Sequence, residues 1–280
     1  MNRSDLPHIL RLLDDPSPVV QESLQRALTT LEGPLPELLE ALAPPIGLVQ
    51  REQVLALQAE GRRMQLRAAW SGWFRLENEH ARLEQALALL SVFQGAGDTL
   101  RTAELLEDLA EQFRKRGGAV DAPGLARFLF AELGFSGNQI SYYDPKNSSL
   151  VHVIESRRGL PITLACLYML VGSRLGLEIE GCNWPRHFYA CTRIGGKLML
   201  VDCFNEGQFL DVEAFLKMQG PSRLAAEAII AQRAAAFSII TRIVGNLAHS
   251  YRQIEHTDDA NLMVELIKMT EDFQAAGKGG

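Results

Sequence analysis

Apolar residues along most of this chain recur every three or four positions, the period of a helix buried on one face. The opening shows the pattern twice around a turn. In LPHILRLLDDPSPVVQESLQRALTTL, Pro18 stands in a first helical turn with Asp15 or Ser17 placed to cap it. Val19, Leu24, Ala27, Leu28 and Leu31 follow at helical spacing. Helix, DDPSP turn and amphipathic helix make one unit of the HEAT-repeat kind, expected to act as a cap or docking element. A single unit does not imply a solenoid, because a repeat needs neighbours to bury its face. Pro34, Pro36, Pro44 and Pro45 break the next segment. Helical period resumes at Val49 and runs to about Arg116, with Trp70, Trp73 and Phe74 grouped on it as expected core. Gly117 and Gly118 end it.

From Asp121 the texture changes. A helix around Leu125–Leu133 is predicted to stop at Gly134, before a loop reading GFSGNQISYYDPKNSSL. A short helix is expected at Val151–Ser156 and a longer one at Pro161–Leu175. Two strand-like runs, Phe188–Arg193 and Leu198–Phe204, flank IGGK, whose glycines suit a hairpin turn needing positive φ. After Pro221 the chain reads as helix to about residue 275, with the rhythm of a TPR-like hairpin. The expected fold class is α+β and helix-rich, with a small antiparallel sheet.

Charge and cysteine usage narrow the function classes. A net charge of −6 argues against coating nucleic acid, which needs clustered Lys and Arg. The longest apolar run, Leu160–Gly172, is too short to span a bilayer. MNRSDLPHIL carries no apolar core of signal-peptide length. All four cysteines (Cys166, Cys182, Cys191 and Cys203) lie in one window without a CxxC pair, so no structural metal and a reduced, cytoplasmic setting are expected.

The hairpin places candidate chemistry. With Gly195 and Gly196 as its loop, Ile194 pairs with Lys197, and His187, Tyr189, Cys191, Asp202 and Phe204 share one face. His187 and Asp202 become diagonal neighbours about 7–8 Å apart at the backbone, within reach of a side-chain hydrogen bond. An imidazole oriented by a carboxylate is the second half of a nucleophilic triad. Cys203 points to the other face, and Cys191 lies about 13 Å along the strand. Cys166 remains, with Cys182 behind it, but its helix is apolar on nearly every side, which predicts an inert thiol. Thr163, nearer the helix start, is a further candidate.

The run from GFSGNQISYYDPKNSSL through SRRGLPITLACLYMLVGSRLGL and NWPRHFYA to LVDCFNEG resembles the bacterial SirB-one-type proteins, the second core subgroup of the transglutaminase-like superfamily. The resemblance covers about residues 80–215. It implies a papain/transglutaminase-like core of helix plus small antiparallel sheet, with Cys at a helix start and His and Asp on adjacent strands. Laid on this chain, Gly159, Ala165, Arg174 and Gly176 match the superfamily's helix motif, and His187 and Asp202 match the other triad members. The cysteine position falls on Pro161. Arg186 stands where the subgroup commonly has Gly, and Asp202-Cys203-Phe204 replaces its Asp-Pro-Phe.

The expected organisation is a HEAT-like segment at 1–46, a helical region at 47–118, the core at 119–220 and TPR-like helices at 221–280. The expected cleft is lined by Asn147, Glu155, Arg158, Pro161, Thr163, Trp184 and Arg186 beside His187 and Asp202. Asn147 and Ser148 also suit a helix cap, and Glu155 an ion pair with an arginine. Three functions follow: a non-catalytic protein-binding or regulatory module, a hydrolase or acyl-transferase using Cys166 or a water activated by His187, and a helical scaffold with an unused cleft. A protein partner is expected, with no nucleic acid, membrane, metal or cofactor.

Overall fold

The computed structural model describes residues 6–31, 35–42, 44–218 and 222–277. Pro34 and Pro221 lie outside them. The chain forms two compact units, divided between Ala69 and Trp70.

The first unit holds α1 (Leu6–Arg11), α2 (Pro18–Thr29), α3 (Leu35–Glu40) and α4 (Leu48–Ala69). Pro18 opens α2, but the hydroxyl of its cap residue Ser17 makes no capping bond. The turn is held instead by Asp15, whose Oδ1 accepts from the Ser17 amide at 2.9 Å, and by Gln21 Nε2, which donates to the carbonyls of Leu13 and Asp15. Leu24, Leu28 and Leu31 are buried as their spacing predicts, whereas Val19 is 73% exposed. The 3.6-residue period puts Val20, not Val19, in line with Leu24, and it is Val20 that packs on this core. α2 and α4 meet at backbone distance: a Cβ on Gly61 would lie 2.9 Å from the Gln25 carbonyl oxygen. Gln58 Nε2 crosses the same contact to the Leu28 carbonyl at 3.0 Å.

The second unit begins with a correction. Trp70, Trp73 and Phe74 are buried as expected, but they leave the helix: Trp70–Trp73 is a 3₁₀ turn. Helix resumes as α5 (Glu79–Phe93), capped by Asn78, whose Oδ1 accepts from the amides of His80 and Ala81. α6 (Leu100–Arg116) follows and ends at Gly117, φ 75°. α7 (Ala122–Ala126) runs into one π-helical turn, Arg127–Glu132. Gly134, φ 77°, then turns the chain into β1 (Ser136–Gly137).

Beyond the loop come a 3₁₀ turn at Pro145–Ser148, α8 (Leu150–Ser156) and β2 (Arg158–Gly159), which pairs parallel with β1. α9 (Pro161–Arg174) is the centre of the unit, and every residue from Pro161 to Gly172 is buried. It packs against α5, α6, α8 and one face of an antiparallel sheet. That sheet has the order β3 (Glu180–Cys182), β4 (Tyr189–Ile194), β5 (Lys197–Asp202), β6 (Gln208–Asp211). α10 (Val212–Lys217), α11 (Arg223–Ala231), α12 (Ala236–Gln253) and α13 (Thr257–Gly277) close the chain. Among the described residues no single helix is long and apolar enough to cross a membrane.

α12 and α13 are tied to the Trp70–Trp73 turn by aromatic rings. Trp73 lies 4.7 Å from both Phe74 and Phe237, and Phe237 stacks on Phe273 at 6.0 Å. Trp70 Nε1 donates to Thr270 Oγ1 at 3.0 Å and to the Leu266 carbonyl. Trp73→Ala removes the ring at the middle of this cluster and is expected to cost about 3–5 kcal/mol of stability. Urea unfolding would read this, and a midpoint unchanged from the parent would contradict the packing role.

Candidate functional site

The β4–β5 hairpin turns on Gly195 and Gly196, φ 56° and 81°, and pairs Ile194 with Lys197 through to Ala190 with Val201, the register its glycines predict. That register brings the pair together. His187 Nε2 lies 2.9 Å from Asp202 Oδ1. Asp202 is 6% exposed and its acceptors are well used: Oδ1 also takes the amides of Phe204 and Asn205 at 3.2 Å, and Oδ2 takes Asn205 Nδ2 at 2.9 Å. Burial by itself raises the carboxyl pKa, but hydrogen bonds from His187 and Asn205 together outweigh it and hold the group below its ordinary value. With Nε2 committed, Nδ1 is the ring nitrogen left for other chemistry.

Local backbone sets the imidazole. The His187 amide donates to the Trp184 carbonyl at 3.3 Å, closing a turn in which Arg186 has φ 63°. The left-handed conformation suits glycine, which gives a physical reason for the glycine common here in the resembled subgroup. Rings wall the histidine: Tyr189 at 4.5 Å, Phe204 at 6.3 Å, and Tyr142 at 6.1 Å from Phe204. The Phe204 ring lies where a Cβ on Gly137 would be, at 2.4 Å, so β1 has room for it only because that residue is glycine.

Among the described residues no nucleophile joins the pair. Pro161 is the first residue of α9, where the resemblance puts the thiol. Cys166 is fully buried, and burial pushes its thiol far above the ordinary range. Cys203 is likewise fully buried and shifted up; its electrostatic neighbours include Cys166, on the α9 side of the sheet. Burial raises Cys182 to about 11 and Cys191 to about 12. All four are free and buried, so none offers a thiolate near neutral pH. Thr163 is also fully buried, and its hydroxyl has no hydrogen-bond partner among the described residues.

The expected cleft residues divide. Trp184 and Arg186 lie in the turn beside His187. Asn147 is buried and fully occupied: Nδ2 donates to the carbonyls of Ser141 (2.6 Å) and Tyr142 (3.0 Å), and Oδ1 accepts from Asn138 (2.9 Å). It clasps the loop and does not cap α8; Ser149 does that, accepting from the His152 amide. The buried Ser148 hydroxyl has no partner among the described residues. Arg158 is exposed, its Nη1 donating to the carbonyls of Gly134 and Arg157. Glu155 pairs with Arg101 at 3.4 Å and lines a separate cavity of about 330 Å³ with Gln94, Lys146 and His152. Among the described residues no group of three or more His, Cys, Asp or Glu side chains could hold a metal ion.

Two participants are absent from the sequence-based expectations. Asn205 locks Asp202 from a turn three residues on, a local signal available in the Asp-Cys-Phe-Asn spacing. Arg242, on α12, donates through Nη1 to the Trp184 carbonyl at 2.8 Å and to Asn183 Oδ1. Nothing local marks it, because its neighbours come from a segment about 58 residues away.

An oriented imidazole without a thiol invites comparison with known proteins. A family model described as the transglutaminase-like superfamily matches residues 101–245. A UPF0162 protein of Xylella fastidiosa is 37% identical over 141 residues, covering 48% of this chain and 50% of that protein. A UPF0162 protein of Pseudomonas aeruginosa is 26% identical over 185 residues, covering 59% and 65%. F-box only protein 21 of Mus musculus is 30% identical over 127 residues, covering 42% of this chain and 20% of that protein. The chain thus spans about half the length of the Xylella relatives it matches. No solved structure matches it. The matched family model takes in more than half of the residues, including α9, His187 and Asp202, and the chain belongs to the transglutaminase-like superfamily.

Proposed function

We propose that this protein is a non-catalytic, SirB-one-type member of the superfamily, acting as a protein-binding or regulatory module. The observation that carries the reading is Pro161. It occupies the helix start where the fold would present a thiol, and proline has no side-chain nucleophile. The four cysteines do not substitute for it, being buried with raised pKa values. His187 and Asp202 persist as a structural pair that holds the turn after β5. In this reading residues 119–220 form the binding core in a cytoplasmic protein. The HEAT-like segment at 1–46 and the TPR-like helices at 221–280 add surfaces for a protein partner.

A second reading keeps chemistry. His187 Nδ1 has no partner among the described residues, and an imidazole held by a carboxylate can activate a water for hydrolysis or acyl transfer. This reading requires turnover that vanishes in His187→Ala with the fold intact. Turnover retained in that variant removes it.

Alkylation of the native protein by iodoacetamide between about pH 6 and 9, mapped by peptide mass, tests the first reading. All four cysteines are expected to react slowly, at rates indifferent to His187→Ala. One cysteine reacting fast below the ordinary thiol value of about 8.5, and slowing without His187, would overturn it.

The Asp202 pair makes a pH prediction. Because its folded pKa lies below the unfolded one, Asp202 contributes stability that is fully present above about pH 4 and lost as pH falls through the folded value. Asp202→Asn is therefore expected to lose about 1–3 kcal/mol at pH 7. The gap to the parent should narrow under acid, as read by urea unfolding at several pH values. A gap constant with pH would show that the carboxylate charge is not what the site holds.

A further inference from the structure

A cavity of about 340 Å³ opens in the larger unit where α5, α9, β3 and the Arg233–Ala235 link before α12 meet. That volume lies in the range of small-ligand sites, about 300–1,000 Å³. Leu83, Met169, Ile179 and Ile239, all buried, line it with apolar carbon. The cavity shares no lining residue with the His187–Asp202 pair.

One backbone donor faces it. Ile194 and Lys197 flank the two-residue hairpin loop and form a hydrogen-bonded pair. Such pairs alternate along an antiparallel ladder, so Ala190 with Val201 is another, and Ala190 turns its amide and carbonyl towards β5. Gly181, opposite Ala190 on the edge strand β3, therefore turns both of its groups away from β4. Its carbonyl accepts from the Ala234 amide at 2.9 Å, on the side of the cavity. Its own amide belongs to a buried residue and has no partner among the described residues. A buried donor left unpaired is costly. A Cβ on Gly181 would lie 2.7 Å from the Phe188 ring, so the wall here is bare backbone.

The charges on the rim are already matched. Glu79 Oε1 pairs with Arg82, and its Oε2 accepts from the Ala236 amide at 2.6 Å. Glu180 pairs with Arg233 at 2.5 Å. His80 is the remaining ionisable side chain of the lining. Water suits the floor badly, because a buried water needs about two to four polar partners. The four apolar side chains around the amide offer none.

We propose that this cavity binds an uncharged aliphatic carbonyl compound, its chain on Leu83, Met169, Ile179 and Ile239 and its oxygen accepting from the Gly181 amide. A carbonyl brings an acceptor and no donor, which matches a site with one open donor. The paired rim leaves no surplus charge to hold an ion, and burying an unpaired ion in such a cavity is far costlier than burying a ketone, ester or amide. This is a small-molecule site, and it stands apart from the protein-binding reading.

The test is a titration of the full chain, labelled with ¹⁵N and with ¹³C at the methionine methyls. The probes are methyl hexyl ketone, octanoate and octylammonium. The ketone is expected to move the Met169 methyl and Gly181 amide signals together, and to bind about tenfold or more tighter than either ion. Ala236→Leu puts a larger side chain into the cavity wall and should erase both shifts. Shifts retained in that variant place the ketone elsewhere and overturn the inference. Stillness of Met169 and Gly181 with every probe overturns it without requiring a variant to fold. An ion bound as tightly as the ketone overturns the uncharged assignment, and movement at Met169 without Gly181 overturns the carbonyl contact. Each of these results leaves the non-catalytic reading to its own thiol measurement.

Discussion

The burial of α9 on all sides is the constraint from which the rest of the larger unit follows. A helix with no exposed face from Pro161 to Gly172 must be covered by something in every direction. α5, α6, α8 and the sheet supply that cover. Tyr168 shows how closely the cover fits: its ring is fully buried and its hydroxyl still finds the Ala122 carbonyl at 2.7 Å. At the far end Gly172 lets Ile179 approach to where a Cβ would sit, at 2.6 Å. The same burial that makes α9 the core makes Cys166 inert. A helix that offered a reactive thiol would have to leave its first turn open to a cleft, and here that turn is closed.

Asp202 organises the second level. It ends β5, and its two oxygens gather the His187 ring, two backbone amides and the Asn205 side chain. Removing the nucleophile from such a site does not release the remaining pair to drift, because the carboxylate also holds the turn that follows β5. Gly207 at φ 70° then sends the chain into β6, with the Phe130 ring where its Cβ would be, at 2.3 Å. The histidine–aspartate pair therefore has a structural reason to persist, independent of catalysis.

What was legible in the sequence had local causes. Two adjacent glycines between alternating strands fixed the hairpin register, and from the register the His187–Asp202 contact followed. The Pro start of α9 and the Gly stop of α6 were equally clear, but the break between α5 and α6 was not, because helical spacing runs on across it. Other features depended on partners far along the chain. β3 and β6 are too short to display alternation, and they exist as strands because β4 and β5 offer them edges. The Trp70–Trp73 turn looked helical by spacing, but packing with Phe237 and Phe273 holds those rings. Arg242 is the extreme case, since its position beside Trp184 is purely tertiary. Asn147 reads from the sequence as a cleft residue or a helix cap, whereas its amide spans the loop instead.

The β1–β2 pair has a consequence for how this fold can vary. It joins the chain before the loop to the chain after α8 by the Ser136 amide on the Arg157 carbonyl and the Asn138 amide on the Gly159 carbonyl. The segment between is thus a stem-closed excursion, with Asn147 as an internal tie. Lengthening a closed excursion costs little, about 0.6 kcal/mol for each doubling. The exposed tip at Gln139 and Ile140, outside the carbonyls that Asn147 holds, can therefore gain residues while the stem, α9 and the hairpin stay in register. The fold separates a tightly packed interior from an adjustable rim, much as a fixed tool handle accepts interchangeable jaws.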